Sequence, residues 1–507
     1  EGVSRGGGGI GGAGRWPPGL AMGRGWGRVV AERRGPAMGG FGVGPRRPGH
    51  PGLHGEAQRG RRRRWVDVRE AKTPPLRPLG GASRWWLHGA LAYLKKNLAG
   101  HGGSLLVLRG PSKDTIMALA SVTHAASIHW HTRLHENERA QDAQIAKALG
   151  TESIDVREFC GTTLLPPETV RTKEGGFYRV FGSFWKAFRQ HYVPEPLDVP
   201  QGMTIHPDTE TLLPESHLNE AGLLPTKPDW AAGLRKTWEP GEAEAQEQLQ
   251  DFVAHAMSHY ATGRNLVARE GTSRLSPYLA FGEISPRQIW ATITSKGSHG
   301  EGSETFLAEI GWREFAKYSL FHMPQMPTRN LSTKFDALKW RNSDTDLKAW
   351  QQGQTGVPIV DAAMRQLWQT GWMHNRARMI VGSFLTKHLL IDWRKGEEWF
   401  RDTLVDADWA SNTTNWQWVA GTGIEAAPFF RVFNPTLQAQ KFDQDGDYIR
   451  QWVPELKKLD GKALFEPWNA SEDILDRAGV TLGKTYPRPL VDLKEGRERA
   501  LAAFRAL

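Results

Sequence analysis

Residues 371–418 read GWMHNRARMIVGSFLTKHLLIDWRKGEEWFRDTLVDADWASNTTNWQW. Apolar residues recur three and four apart, which predicts a helix over 375–390 and a shorter one over 394–404. On the first helix Asn375, Arg378 and Met379 share a face. Asp406 and Asp408 follow in what reads as a loop, with Asn412 beyond them, so Arg378 has a carboxylate within reach at Asp406 or Asp408. Mixed donors and acceptors of this kind suit the edge of a planar heterocycle. Asp406-x-Asp408 also has the look of a metal motif, but no third ligand stands at a helpful spacing, and no metal is expected.

Outward from this stretch, residues 241–507 read as one helical domain. Leu249, Phe252, Val253, Ala256, Met257 and Tyr260 make one stripe of a helix over 242–260. Ser285 reads as an N-cap with Pro286 at the first helical position. A helix over 303–321 stops before Pro324, and one over 358–370 closes at Gly371. Gly271-Thr-Ser-Arg-Leu-Ser-Pro-Tyr-Leu opens another helix. Its Thr272, Ser273 and Ser276 offer hydroxyls and free N–H groups that suit a phosphate, or that merely cap the helix. Glu309, Trp312 and Arg313 fall within one turn. Glu309 and Arg313, four apart, read as a surface ion pair, or with Trp312 as a stacking platform between an acid and a base.

Upstream, residues 82–195 alternate helix and strand: helices from 83, 116 and 136, strands at 105–108, 126–131 and 153–156. That order predicts parallel βαβ units. Residues 196–240, rich in proline, read as a connector. Residues 1–81 read as a disordered Gly/Arg-rich segment, compatible with GC-rich DNA read from a wrong start or frame. Its first 64 residues hold 13 Arg against three acids, which accounts for the whole net charge of +10. The remaining chain is neutral, so any affinity for nucleic acid must come from a local patch. The single Cys160 excludes an internal disulfide, and His129 and His131 share a strand face without a carboxylate pattern beside them. No apolar run approaches a membrane span, and a soluble cytoplasmic protein is expected. The 22 tryptophans exceed ordinary packing needs.

Four motifs carry a resemblance: EGTSRLSPYLAFGEISPRQ, GWREF, GQTGVPIVDAAMRQLWQTGWMHNRARMIVGSFLTKHLLIDWR and DADWASNTTNWQWVAGTG. Over roughly 82–507 the chain resembles the photolyase/cryptochrome flavoproteins, and among them the bacterial class I cyclobutane pyrimidine dimer photolyases. The resemblance implies an α/β antenna domain followed by an all-helical FAD-binding domain. It implies FAD contacts at Tyr260, Thr272, Ser273, Arg274, Leu275, Ser276, Glu309, Arg313, Asn375, Arg378, Asp406, Asp408 and Asn412, the last facing flavin N5. Trp416, Trp393 and Trp340 match the electron-transfer chain from flavin to surface. Trp312, Met379 and Trp418 match the walls of the lesion pocket, with Glu309, Asn375 and Arg376 as polar contacts and Arg264 on the DNA backbone. The implied activity is light-driven repair of UV-damaged DNA by reduced FAD, in a monomer; the alternative is a cryptochrome-type light receptor, which Asn412 opposes. The family's first strand, V-x-W-F-R-R-D-L-R, has no match in residues 1–80, so the parallel sheet is expected to lack its first strand. The antenna chromophore stays open between a folate type, a deazaflavin type and none. Glu138 suits a folate, but Pro327-Thr328 stands where folate binders carry Cys-Lys.

Overall fold

The computed structural model describes residues 27–32, 63–69, 77–101, 105–197, 218–295, 300–425 and 427–507, the first two stretches as backbone alone. Five strands form one sheet: β1 (Gly27–Glu32), β2 (Arg63–Arg69), β3 (Leu105–Arg109), β4 (Ser127–His131) and β5 (Asp155–Phe159). Their order is β3-β2-β1-β4-β5. β4 with β5 is parallel, as the alternation predicts; β2 with β3 is parallel too, whereas β1 runs antiparallel to both its neighbours. Most of residues 1–76 lies outside the described residues, but within 1–81, where the reading placed no element, the sheet holds two strands, and it departs from the parallel pattern in the direction of β1. Composition hid them. Averaged over the segment, glycine and arginine dominate, yet Arg63-Arg-Trp-Val-Asp-Val-Arg69 alone carries strand-forming residues in alternation.

Helices α1 (Gly81–Gly100), α2 (Ser112–Thr123) and α3 (Glu136–Thr151) follow the predicted order, and α4 (Phe181–Phe188) adds one that the reading did not place. α1 serves two cores. Leu87, Leu91, Leu94 and Leu98 pack with Leu105 and Val107 of β3. Trp85 and Trp86 instead join Phe252, Tyr278 and Phe315 of the helical part.

In the helical part, Pro358–Thr370 has the predicted bounds, closed by Gly371 at φ +67°. That left-handed stop is open to glycine without a Cβ clash. Ser285 exchanges capping bonds with Gln288. The expected single helix over 375–390 is Asn375–Ser383 followed by a wider turn at Phe384–His388. Trp393–Thr403 comes next. Trp409–Ala420, where the reading placed no element, is helical. Its Asn-Thr-Thr-Asn run disfavours helix in isolation, but Asp408 caps it by accepting from the Ser411 N–H at 2.8 Å, and Trp409, Thr413 and Trp416 bury its inner face. No helix among the described residues is long and apolar enough to cross a membrane.

Candidate functional site

A cavity of about 270 Å³ opens where these helices converge. Its walls bring together Tyr260, Thr272, Ser273, Arg274, Leu275 and Ser276 from one stretch with Asn375, Arg378, Met379, Asp406, Asp408, Asn412, Trp416 and Trp418 from the other. The two polar runs singled out from sequence, far apart along the chain, thus face one space.

Arg378 and Asp406 form a bidentate pair, Nη2–Oδ2 at 2.7 Å and Nη1–Oδ1 at 3.2 Å. Arg378 Nε donates to the Met373 carbonyl at 2.7 Å, and Ser276 Oγ donates to Asp406 Oδ2 at 2.7 Å. Three elements are therefore locked around one ion pair, which fixes its plane. Asp408 turns to Lys317 at 2.9 Å. Burial alone would raise its pKa, but Lys317, Arg313 and the Ser411 N–H hold it well below the usual carboxylate range. Asn412 Nδ2 donates to both the carbonyl and Oε1 of Glu397, each at 3.0 Å.

Arg274 holds φ at +49°, a strained value for a side chain of this size. Its guanidinium lies 4.4 Å from the Trp238 ring and 5.4 Å from Trp372, and its buried Nε finds no acceptor among the described residues. The buried Trp416 Nε1 is likewise unmet. Hydroxyls at 272–276, a planar ion pair, an amide and an indole wall form a set that fits a dinucleotide carrying a flat ring.

Other expected residues sit off this lining. Glu309 pairs with Arg264 at 2.6 Å, not with Arg313 as its spacing suggested. Arg313 points into the body, donating to Thr162 O at 2.9 Å and to Glu314 at 3.2 Å. Helical spacing permits the i,i+4 pair, but Arg313 has buried acceptors on its own side. Burial raises the Glu309 pKa against the lowering pull of Arg264, and Glu309 adds to the rise at cavity-lining Tyr260, where burial is the larger cause. Trp312 stacks on Phe181, ring centroids 3.8 Å apart at 11°. Arg376 bonds Asn265 and lies 4.4 Å over the Phe442 ring.

Trp416 contacts Phe400 at 5.0 Å and Trp350 at 6.2 Å, edge to face. It also packs on the helix of Trp393 at Gly396, where a Cβ would stand 2.2 Å from its ring. Trp393 is fully buried, donating to Asn330 Oδ1 at 2.9 Å, and Trp340 lies half-buried against the same core. His374 caps the helix of Asn375 by accepting from the Arg376 N–H at 3.1 Å.

Sequence reasoning missed Glu397, Trp372 and Phe400. Glu397 left a signal: with Trp393, Gly396 and Phe400 it lies on the buried face of its helix, and a carboxylate on an apolar stripe demands a partner.

Two families match the chain: "FAD binding domain of DNA photolyase" over residues 306–506 and "DNA photolyase" over residues 50–201. The deoxyribodipyrimidine photo-lyase of Agrobacterium fabrum is 49% identical, with 85% of this chain and 90% of that protein covered. The Escherichia coli protein of the same name is 38% identical, with 77% and 80% covered. Cryptochrome-2 of Arabidopsis thaliana is 36% identical, with 86% and 72% covered. Among solved structures, a bacterial class III photolyase from Agrobacterium tumefaciens superposes with a TM-score of 0.83 at 48% identity, covering 87% of this chain and 91% of that one. The class I expectation from the motifs therefore meets a class III description at high identity. A Synechocystis cryptochrome gives 0.77 at 29% identity, covering 86% and 92%.

Proposed function

The chain belongs to the DNA photolyase family, and on that premise we propose that it is a deoxyribodipyrimidine photo-lyase, a light-driven DNA-repair enzyme that holds FAD in the cavity between residues 272–276 and 406–418. The observation that carries this reading is the Arg378–Asp406 pair, tied to Ser276 and the Met373 carbonyl on the cavity wall. FAD, when bound, would supply blue-light absorption and an electron that splits a cyclobutane pyrimidine dimer and then returns to the flavin; the protein supplies distance, dryness and hydrogen bonds.

Thr272, Ser273 and Ser276 serve the phosphates with hydroxyls and N–H groups, and Arg274 brings a cation to that side. Arg378 donates and Asp406 accepts at the edge of the flat ring, while Asn412 presents an amide to it. Trp418 and Met379, also on the lining, receive the flipped lesion together with Trp312. Base–aromatic stacking is worth roughly 1–3 kcal/mol per base, which offsets the unstacking of a dimer that pairs poorly in the duplex. Glu309, whose carboxyl burial raises, donates a hydrogen bond to a pyrimidine carbonyl when protonated. Arg264, released from Glu309, and Arg376 supply the local cationic patch that a neutral body requires. Trp416, Trp393 and Trp340 lead from the cavity wall outward as the route for recharging the cofactor.

The test is direct. Purified protein carries a flavin spectrum, and blue light with an oligonucleotide bearing one thymine dimer restores the two thymines. Flavin without any light-dependent loss of the dimer would replace this reading with a light receptor of the cryptochrome type.

A further inference from the structure

Asn412 does not hold its amide alone. Its Nδ2 lies 3.0 Å from two acceptors, the carbonyl and Oε1 of Glu397, so the atom there must be the NH2 group. No donor among the described residues reaches Oδ1, and Asn412 lines the cavity. The amide thus faces the ligand as an acceptor. Glu397 is 2% exposed, and a carboxylate so buried needs a cation. That cation is Arg77, which grips it with both arms, Nη1–Oε1 at 3.0 Å and Nη2–Oε2 at 2.6 Å.

Arg77 comes from the other end of the chain, and its approach is built. The Pro78 carbonyl accepts from Arg401 at 2.9 Å, the Gly81 N–H donates to Asp402 at 2.8 Å, and Ser83 Oγ donates to the Leu404 carbonyl at 3.2 Å. At Gly80 a Cβ would stand 2.0 Å from the Arg401 carbonyl oxygen, so only glycine admits this approach. The Arg77 guanidinium also sits 5.9 Å from the Trp409 ring, on which His135, the N-cap of α3, stacks at 4.1 Å. Residues 77–83 therefore run docked along 397–404, and Arg77 is held in place from several sides.

We propose that Arg77 is a positioning residue of the flavin site: through Glu397 it locks the Asn412 amide with its oxygen toward the cofactor and so favours the reduced flavin. The proposal rests on the reading that Asn412 faces flavin N5. Oxidised flavin accepts a hydrogen bond at N5, while a reduced flavin carrying N5–H donates one. An amide fixed as acceptor opposes a lone pair in the first case and completes a bond in the second. Without the cation, Glu397 loses its partner, and the Asn412 amide is free to turn and donate to the oxidised ring. The segment that enters the α/β part thereby sets a redox property of a cofactor held by the helical part.

The experiment measures the midpoint potential of the bound flavin in full-length wild type, Arg77→Gln, Glu397→Gln, the double variant and Arg77→Lys. Arg77→Gln lowers the potential by an amount worth about tenfold in the reduction equilibrium, about 59 mV for a one-electron couple, the scale of a single charge-assisted hydrogen bond. Glu397→Gln shifts it likewise, and the double variant shifts it no further, because both changes cut one relay. Arg77→Lys retains the charge and restores most of the potential. A merely structural role would lower the Tm of Arg77→Gln and leave the potential in place. That result, or additive shifts in the double variant, overturns the relay. If Arg77→Gln fails to fold, the comparison of Glu397→Gln with Arg77→Lys decides, an unshifted Glu397→Gln potential being sufficient to overturn it. Wild-type protein with no flavin overturns the cofactor reading and the relay with it, whereas flavin-loaded variants with unshifted potentials overturn the relay alone.

Discussion

Burial and the cations Arg376, Arg378 and Arg264 push His374 down to a pKa of about 4 from an ordinary 6.5. The ring is therefore neutral, as its acceptor role toward the Arg376 N–H requires. Below pH 6.5 the unfolded chain takes up this proton first, so the folded state loses stability as pH falls from about 6.5 to about 4, and the loss levels off below that. The slope is about 1.4 kcal/mol per pH unit for one group. His374→Asn keeps a capping acceptor and removes the titration. Urea midpoints for both proteins at several pH values should show the wild type losing ground against the variant on acidification; parallel curves would refute the assignment. His388, also pushed to about 4 by burial and Arg499, and Glu314, raised to about 7 chiefly by burial, act equally in both proteins and cancel. A second residue-scale prediction concerns Trp393: replacing it by Phe should abolish photoreduction of oxidised FAD while pre-reduced enzyme still repairs, and normal photoreduction would reroute the electrons. At this scale the sequence made Arg378–Asp406 visible, because two complementary groups stand beside predicted helix ends. It hid the partners of Glu309 and Asn412. Arg264 and Glu397 meet them only through tertiary packing, and local spacing pointed to Arg313 instead.

Elements were legible where punctuation was strong. Pro358 and Gly371 bound one helix by the two residues least able to do anything else there. Capping chemistry without a propensity signal was not legible: 409–420 folds as helix on the strength of Asp408 and its buried face. The helix Trp393–Thr403 supplies a test in which two effects have opposite signs. Ala is favoured over Gly inside a helix by about 1 kcal/mol, so Gly396→Ala should stabilise if propensity governs. A Cβ at 396, however, would meet the Trp416 ring at 2.2 Å and Leu385 at 2.7 Å, and overpacking of this kind costs about 1–3 kcal/mol. Packing should win. The variant should melt lower and, with Trp416 displaced, photoreduce its flavin more slowly; a raised Tm with unchanged photoreduction would show that Trp416 does not rest on this helix as the structure has it.

Across the whole molecule the sequence announced an α/β part and a helical part but not how they are joined, because no periodicity records which core a residue enters. α1 shows the difficulty. Its leucines fit the sheet, while Trp86, on the same helix, is fully buried among Trp85, Trp238, Tyr278 and Phe281. Its indole N–H donates to Glu283 at 2.7 Å. A helix shared between two cores makes them unfold together, since neither keeps its packing when the other opens. Wild-type protein should therefore give coincident urea transitions by far-UV circular dichroism and tryptophan fluorescence. Trp86→Ala removes the side chain that reaches across and should cost about 3–5 kcal/mol, drawn mainly from the contact between the parts. The variant should then separate into two transitions, the smaller sheet-containing part opening first, while flavin stays bound through that first step because the cavity is lined wholly by residues beyond 259. Flavin released in the first transition, or a single transition merely moved to lower urea, would mean that the two parts are coupled elsewhere, the docked run from Arg77 to Ser83 being the next contact to cut.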